Sequence, residues 1–418
     1  MSGIAPAFRP PPLSGMLPYD QARQLVIREV AALRKTTAAE TRRLREALGF
    51  VLAENVIADR NYPPFDRSTR DGYAVRAADI APGVTLPCAG EFKAGDESTT
   101  VLAPGGCVSI MTGAAVPPGA DSVVMIEHTQ RDADRVTFDR PVQRGQNIVP
   151  RGSEARAGAI LLKPGQRIGF AESALAAQAG AHSVAVRKKP RVAILSTGDE
   201  LVAMEQTPGP FQIRNSNNLS LAAQVRFACG EVVELGSALD RADAIRAAIE
   251  KGLAADALVL SGGVSMGKYD LVETVLRDLG AQFFFDAVAI RPGRPAVFGI
   301  CRGVPVFGLP GNPVSTMVTF ELFVVPALDL LSGAEPRPLP LLFARLAAPV
   351  RQKGGLTHFL PAFLEWSSDE ASVRELPWQG SGDIATLGRA NCFLVVPEDK
   401  PELQPGDAVL VLPRRDLL

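Results

Sequence analysis

Three short segments carry the residue types that could do chemistry. They are Ser196-Thr197-Gly198-Asp199-Glu200, Ser261-Gly262-Gly263-Val264-Ser265-Met266-Gly267-Lys268-Tyr269-Asp270 and Gly308-Leu309-Pro310-Gly311-Asn312-Pro313-Val314-Ser315. Each follows a short β-prone apolar run, and each is rich in small residues that leave backbone N–H groups open to an anion. The second and third also open helices, whose N-termini favour negative charge by about 0.3–1 kcal/mol each. Phosphate suits such loops. Asp199, Glu200 and Asp270 lie in the same loops, and carboxylate repels phosphate unless a cation bridges them. The pattern therefore calls for Mg²⁺, which takes one or two carboxylates together with ligand phosphates. Arg291 and Arg294, in Arg291-Pro292-Gly293-Arg294-Pro295, add positive charge. Any one loop alone reads equally well as a tight glycine turn. Three at strand ends read as a ligand edge, because ligands of open parallel sheets bind beyond the carboxyl ends of the strands.

The second loop offers two other readings. Gly262 to Lys268 fits G-x-x-x-x-G-K, but Tyr269 follows where a nucleotide-binding loop needs a small hydroxyl for Mg²⁺. Gly263-Val264-Ser265-Met266-Gly267 fits the G-x-S-x-G elbow of serine hydrolases, which requires a later Asp and then a His. Only His358 follows, in what reads as another domain. Ser265 is better read as a hydrogen-bond donor to phosphate or backbone.

The elements that must position these loops come from periodicity and turn chemistry. Leu25, Val26, Val30 and Leu33 have helical spacing from Asp20 onward, and a second helix is expected over Glu40 to Leu48, ended by Gly49. Strand-like runs at Val108 to Met111, Ser122 to Ile126 and Arg135 to Phe138, punctuated by Gly and Pro, predict a small β domain. A strand, a Lys-Pro-Gly-Gln turn and a helix near Ala171 to Gly180 follow. After Pro190 strands and helices alternate: strands at Val192 to Leu195, Glu231 to Leu235, Ala257 to Leu260 and Pro305 to Gly308. The helices expected between and after them run over Asn218 to Cys229, Ala242 to Leu253 (with Asp240 as its N-cap), Asp270 to Leu279 and Val314 to Leu331. This alternation predicts a parallel sheet covered on both faces. Beyond Gly333 the chain returns to β character, with Pro405-Gly406-Asp407 turning between the last two strands.

Composition limits the function. A chain of 418 residues is long enough for several domains. A net charge of -1 lacks the basic excess of a nucleic-acid binder, and aromatics at 6% argue against base-stacking or carbohydrate platforms. The five cysteines, Cys88, Cys107, Cys229, Cys301 and Cys392, form no C-x-x-C pair, which fits a reducing, cytoplasmic setting without a thiolate metal site. The three histidines, His128, His182 and His358, are too dispersed for a zinc motif and read as surface or half-buried residues. No apolar run reaches the ~20 residues of a membrane span, and residues 1–16 read as a flexible tail.

Pro63-Pro64-Phe65-Asp66-Arg67-Ser68-Thr69-Arg70-Asp71-Gly72-Tyr73-Ala74-Val75-Arg76 closely resembles the signature of the MoeA family, the molybdopterin molybdenumtransferases and the E domain of gephyrin. Met111-Thr112-Gly113-Ala114, Gly145-Gln146-Asn147-Ile148 and Arg151-Gly152-Ser153-Glu154 resemble further landmarks of that family. So do Ser196 to Leu201 and the loops at Ser261 to Asp270 and Gly308 to Ser315. They occur in family order over nearly the whole chain.

The resemblance implies a multidomain α/β protein. A connecting unit of two segments (17–53 and 151–188) would flank an inserted β domain (54–150), followed by a MogA-like molybdopterin-binding α/β domain (189–333) and a β-rich C-terminal domain (334–418). It implies an elongated homodimer whose active site lies between the α/β domain of one subunit and the inserted β domain of the other. The implied reaction joins molybdenum from molybdate to adenylylated molybdopterin, with Mg²⁺, and releases AMP; the alternative is a non-catalytic carrier or scaffold of the cofactor. A MogA-type adenylyltransferase and molybdoenzyme chaperones are the implied partners, with neither nucleic acid nor membrane. The pterin's own dithiolene finally holds molybdenum, so no cysteine cluster is needed.

Position by position, the resemblance implies catalytic roles for Asp71, Thr112, Glu200, Asp240 and Asp270, with Glu200, Asp270 and Glu154 toward the metal. Ser196, Thr197, Gly198, Gly262, Gly263, Ser265, Pro310, Gly311, Asn312 and Pro313 would bind the pterin nucleotide, and Arg291, Arg294, Ser315 and Ser381 the molybdate. Two departures remove positive charge: Ala287 stands where many relatives carry lysine, and Lys353-Gly354-Gly355-Leu356 lacks the arginine that commonly follows Lys-Gly.

Overall fold

A computed structural model describes residues 16–97, 101–263, 271–368 and 370–417. Helix α1 (Tyr19–Ala32) buries Ala22, Val26 and Val30, one per turn, against the helical layer of the later α/β unit. The expected helix at Glu40 to Leu48 is instead a strand, Ala39–Arg43, and one 3₁₀ turn, Leu44–Glu46. Its first half has no apolar stripe, and it gains a full antiparallel ladder, from Ala39 opposite Arg187 to Arg43 opposite Ser183. Val51–Leu52 completes this three-stranded sheet on the other side of Ser183–Arg187, and helix α2 (Phe170–Gln178) packs beside it.

Between these two segments lies a six-stranded β unit. Its strand order is Ser122–Met125, Gly72–Val75, Cys107–Ile110, Thr85–Phe92, Arg135–Phe138 and Thr129–Asp132. Tyr73, Val75, Val136 and Phe138 fill its core, with Tyr73 and Phe138 meeting edge to face. Gly72 and Ile110 are direct antiparallel partners, so the start of one strand lies beside the end of the next.

The α/β unit has strands β1 (Arg191–Thr197), β2 (Glu231–Ala238), β3 (Ala257–Ser261), β4 (Gln282–Phe285), β5 (Val297–Cys301) and β6 (Val304–Leu309), ordered β2-β1-β3-β6-β5-β4. The first four are parallel, as expected; β5 runs antiparallel to β6 and β4 antiparallel to β5, so the sheet is mixed. Helices α3 (Ser216–Phe227), α4 (Ala242–Gly252) and α5 (Leu271–Asp278) flank it. The expected long apolar helix is α6 (Pro313–Thr319) and α7 (Val325–Leu331) joined by a π segment, Phe320–Val324. By length and composition this 19-residue stretch could cross a membrane, but 89% of it is buried inside the protein as a core helix.

In the C-terminal unit Thr357–Trp366, Ala371–Glu375, Leu342–Leu346, Ala408–Pro413 and Cys392–Val396 pair in that order, and the last pairs back to the first. Five strands thus close into a small barrel without free edges. Ile290–Arg291 leaves the α/β unit and joins this sheet, with Arg291 opposite His358. Helix α8 (Ile384–Arg389), absent from the sequence expectation, caps the junction with the α/β unit.

Candidate active site

The ladder places the three loops together. Ser196 is level with Ser261 and Ser261 with Leu309, so β1, β3 and β6 end at one height. Gly262 has φ +83, and a Cβ there would come within 2.7 Å of the Thr197 carbonyl oxygen. Only glycine lets the second loop pass this close to the first. Asn217, near the start of α3, bolts two loops together: its side-chain amide donates to Ser261 Oγ at 2.8 Å and to the Gly311 carbonyl at 2.7 Å. Ser196 Oγ donates to Asn218 Oδ1 at 2.6 Å, and Asn215 caps α3 by accepting from the Asn218 N–H.

These loops surround a cleft of about 710 Å³. Ser196, Thr197, Gly198, Glu200, Asp240, Gly262, Gly263, Pro310, Gly311, Asn312 and Pro313 all line it, so eleven of the expected positions share one hollow. Ser265 and Asp270 lie outside the described residues. Asp240 is not the N-cap of α4; Arg241 holds that place, and the Asp240 backbone N–H instead donates to Asp199 Oδ1 at 3.0 Å. Partial burial raises the Asp240 carboxyl above its ordinary range, and the nearby Asp199 and Glu200 raise it further.

A second cavity of about 580 Å³ adjoins the first. Arg291, Arg294, Ser315 and Ser381 all line it, and Pro295, Pro310, Asn312 and Gly382 border both hollows. Neither Arg291 nor Arg294 forms an ion pair among the described residues. Asn312 Nδ2 donates to Ser381 Oγ at 2.8 Å, and the Val314 N–H donates to the Ser381 carbonyl at 3.1 Å. These bonds seat the C-terminal unit against the N-terminus of α6. His358 is not a surface residue: it is 1% exposed, with Nε2 bonded to the Lys353 carbonyl at 2.9 Å. Burial lowers its pKa, and Arg291 lowers it further. Ala287 is buried, whereas Leu356 faces the second cavity.

Asp71, Thr112 and Glu154 line neither hollow. Asp71 Oδ1 accepts the Thr112 N–H at 2.7 Å, which holds its carboxyl below the usual range with help from the Thr112 hydroxyl. A Cβ on Gly72 would collide with the Val124 carbonyl, which accounts for the glycine in Asp71-Gly72-Tyr73. Glu154 pairs with Arg67 at 2.9 Å and is not grouped with Glu200. Sequence reasoning missed Arg214, Asn215, Ser216 and Asn217, all in the first cleft. The polar run Asn215-Ser216-Asn217-Asn218 was the available signal for a capped helix start, two residues earlier than expected.

The whole chain can then be set beside known proteins. Residues 17–180 match the MoeA N-terminal region (domain I and II), residues 193–330 a probable molybdopterin binding domain, and residues 344–413 the MoeA C-terminal region (domain IV). The molybdopterin molybdenumtransferase of Haemophilus influenzae is 33% identical over 96% of this chain and 100% of its own length. The chain belongs to the MoeA family. The molybdopterin molybdenumtransferase of Bacillus subtilis is 34% identical over 95% of this chain and 94% of its own. A molybdopterin biosynthesis MoeA protein from Pyrococcus horikoshii superposes with a TM-score of 0.77 at 28% identity, covering 96% of this chain and 100% of that one. A second MoeA structure from that source gives 0.71 at 32%, covering 96% and 99%. As a MoeA-family protein, this chain is a transferase of molybdenum cofactor biosynthesis.

Proposed function

We propose that this MoeA-family chain inserts molybdenum from molybdate into adenylylated molybdopterin and releases AMP. The supporting observation is the pair of adjoining hollows. One is built from glycine-bearing loops and acids at strand ends; the other carries two serines and two arginines that form no ion pair among the described residues. Two anions held side by side become an effectively intramolecular pair, which removes much of the entropic barrier to their reaction.

In the first hollow, the loops at Gly198, Gly262 and Gly311 and the N-terminus of α3 would receive the phosphates, with Asn217 holding the loops in register. In the second, Arg291 and Arg294 would take the oxyanion by charge-assisted hydrogen bonds, with Ser315 and Ser381 completing its donors. Glu200 would hold Mg²⁺ with Asp240 beside it, and the family resemblance adds Asp270. The acids fit such an ion: Asp199 and Glu200 already penalise charge on Asp240, and a cation would relieve that repulsion. When bound, Mg²⁺ would neutralise charge building on the cleaved phosphoanhydride. Asp71, Thr112 and Glu154 would complete the site from the second subunit of a homodimer. A MogA-type adenylyltransferase would supply the pterin nucleotide, in the cytoplasm, where the five free cysteines are at home.

The test is turnover with adenylylated molybdopterin, molybdate and Mg²⁺. AMP released in step with molybdenum bound by the pterin supports the enzyme. Binding of the nucleotide without AMP release overturns it in favour of a carrier.

A further inference from the structure

The second cavity has a chemically mixed lining. Arg291, Arg294, Ser315 and Ser381 supply donors, while Leu356 and Trp378 present carbon surface. The Trp378 side chain lies close to the Glu375 carboxylate and favours its charged form. Trp378 also packs on both the α/β core and the barrel core, which fixes its place in the wall. Glu375 is itself half-buried, and burial pushes its carboxyl above the ordinary range.

An oxyanion entering such a cavity loses water against its apolar residues and regains hydrogen bonds only from its donors. The cost of stripping water from an ion rises as its radius falls, so a smaller dianion loses more than a larger one of the same charge and shape. Sulfate is the smaller tetraoxo dianion; molybdate is larger and more weakly hydrated. From this we infer that Leu356 and Trp378 are specificity-determining residues, forming an apolar half-wall that selects molybdate against sulfate. The inference rests on the reading of this cavity as the oxyanion site.

Binding of sodium molybdate and sodium sulfate to the full chain, each at constant ionic strength, is measured by titration calorimetry. Intrinsic fluorescence gives a second readout: the chain has only two tryptophans, and Trp366 is 69% exposed. Native protein is expected to prefer molybdate by about tenfold or more, a preference set by desolvation. Trp378→Phe keeps the apolar wall and keeps the preference. Leu356→Arg and Trp378→Gln put polar groups into it, and the preference falls by about tenfold, chiefly through tighter sulfate binding. Leu356→Arg lies at the cavity surface, so it tests the idea even if Trp378→Gln disturbs packing. Equal affinity of native protein for both anions, or an unchanged preference in Leu356→Arg, overturns the half-wall while leaving the cavity's assignment intact. Failure of native protein to bind either anion overturns the assignment of the cavity itself, and the half-wall with it.

Discussion

Asn217 shows how one side chain can govern a site made by three loops. Its amide spans Ser261 Oγ and the Gly311 carbonyl, so Asn217→Ala unties β3 from the loop that opens α6. Leaving those groups unpaired should cost roughly 1–3 kcal/mol of stability. Misplaced loops should lower kcat/KM for AMP release on the order of ten- to a hundredfold. Steady-state turnover together with urea unfolding separates the two effects. Glu200→Ala is a different experiment, because Glu200 is exposed at the rim of the cleft and supports no packing. Molybdenum insertion should fall by about a hundred- to a thousandfold with the circular dichroism spectrum unchanged; near-native turnover would end its assigned role.

At the scale of elements, α8 depends on Asp383. Its carboxylate accepts from the Thr386 N–H at 3.0 Å and from the Thr386 hydroxyl at 2.8 Å, and the Gln379 N–H adds a third donor. These bonds, led by the Thr386 backbone, hold the Asp383 carboxyl below the usual range. With the folded pKa below the unfolded one, the stabilisation is complete above the unfolded value and is lost as pH falls through the folded one. Asp383→Asn should therefore lower the melting temperature at neutral pH, and the gap from native protein should narrow in acid. Scanning calorimetry across that range is the check.

This helix also marks where sequence reading stopped short. Strands β1, β3 and β6 were legible because they are short apolar runs ended by glycine or small residues. Helix α8 was not, because Ile384 to Arg389 is a six-residue element with only Thr386 and Leu387 buried, too short to show a period. Strands β4 and β5 were passed over beside the motif at Arg291, although Phe283 to Phe285 and Val297 to Ile300 are β-prone. At Glu40 the error ran the other way: good helix formers were recruited by a neighbouring strand. The three glycine-bearing loops could be read from residue type alone, whereas Asn217 acts through contacts 44 and 94 residues away in sequence.

At the scale of the whole molecule, Asp329 ties three regions together. It is fully buried in α7 and accepts from Arg167 of the connecting unit at 3.0 Å and from Arg337, ahead of the barrel, at 3.0 Å. Removing one partner of a buried ionic cluster costs about 3–5 kcal/mol, so Asp329→Ala should be among the most destabilising single changes, read by urea unfolding and by faster proteolysis. The proposed sharing of the site between subunits gives another prediction. Asp71→Asn and Glu200→Ala should each be inactive alone, and their mixture, unfolded and refolded together, should recover about a quarter of native turnover by random pairing of subunits. No recovery would mean that each chain builds its site alone.

Pro295, Pro310, Asn312 and Gly382 form a party wall between the two hollows. If the oxyanion tightens the hold on the nucleotide by some factor, the nucleotide must tighten the hold on the oxyanion by that same factor, since the cycle of binding steps has to close. The order in which the two arrive is then a matter of rates alone, and the doubly loaded protein is the same thermodynamic state by either route.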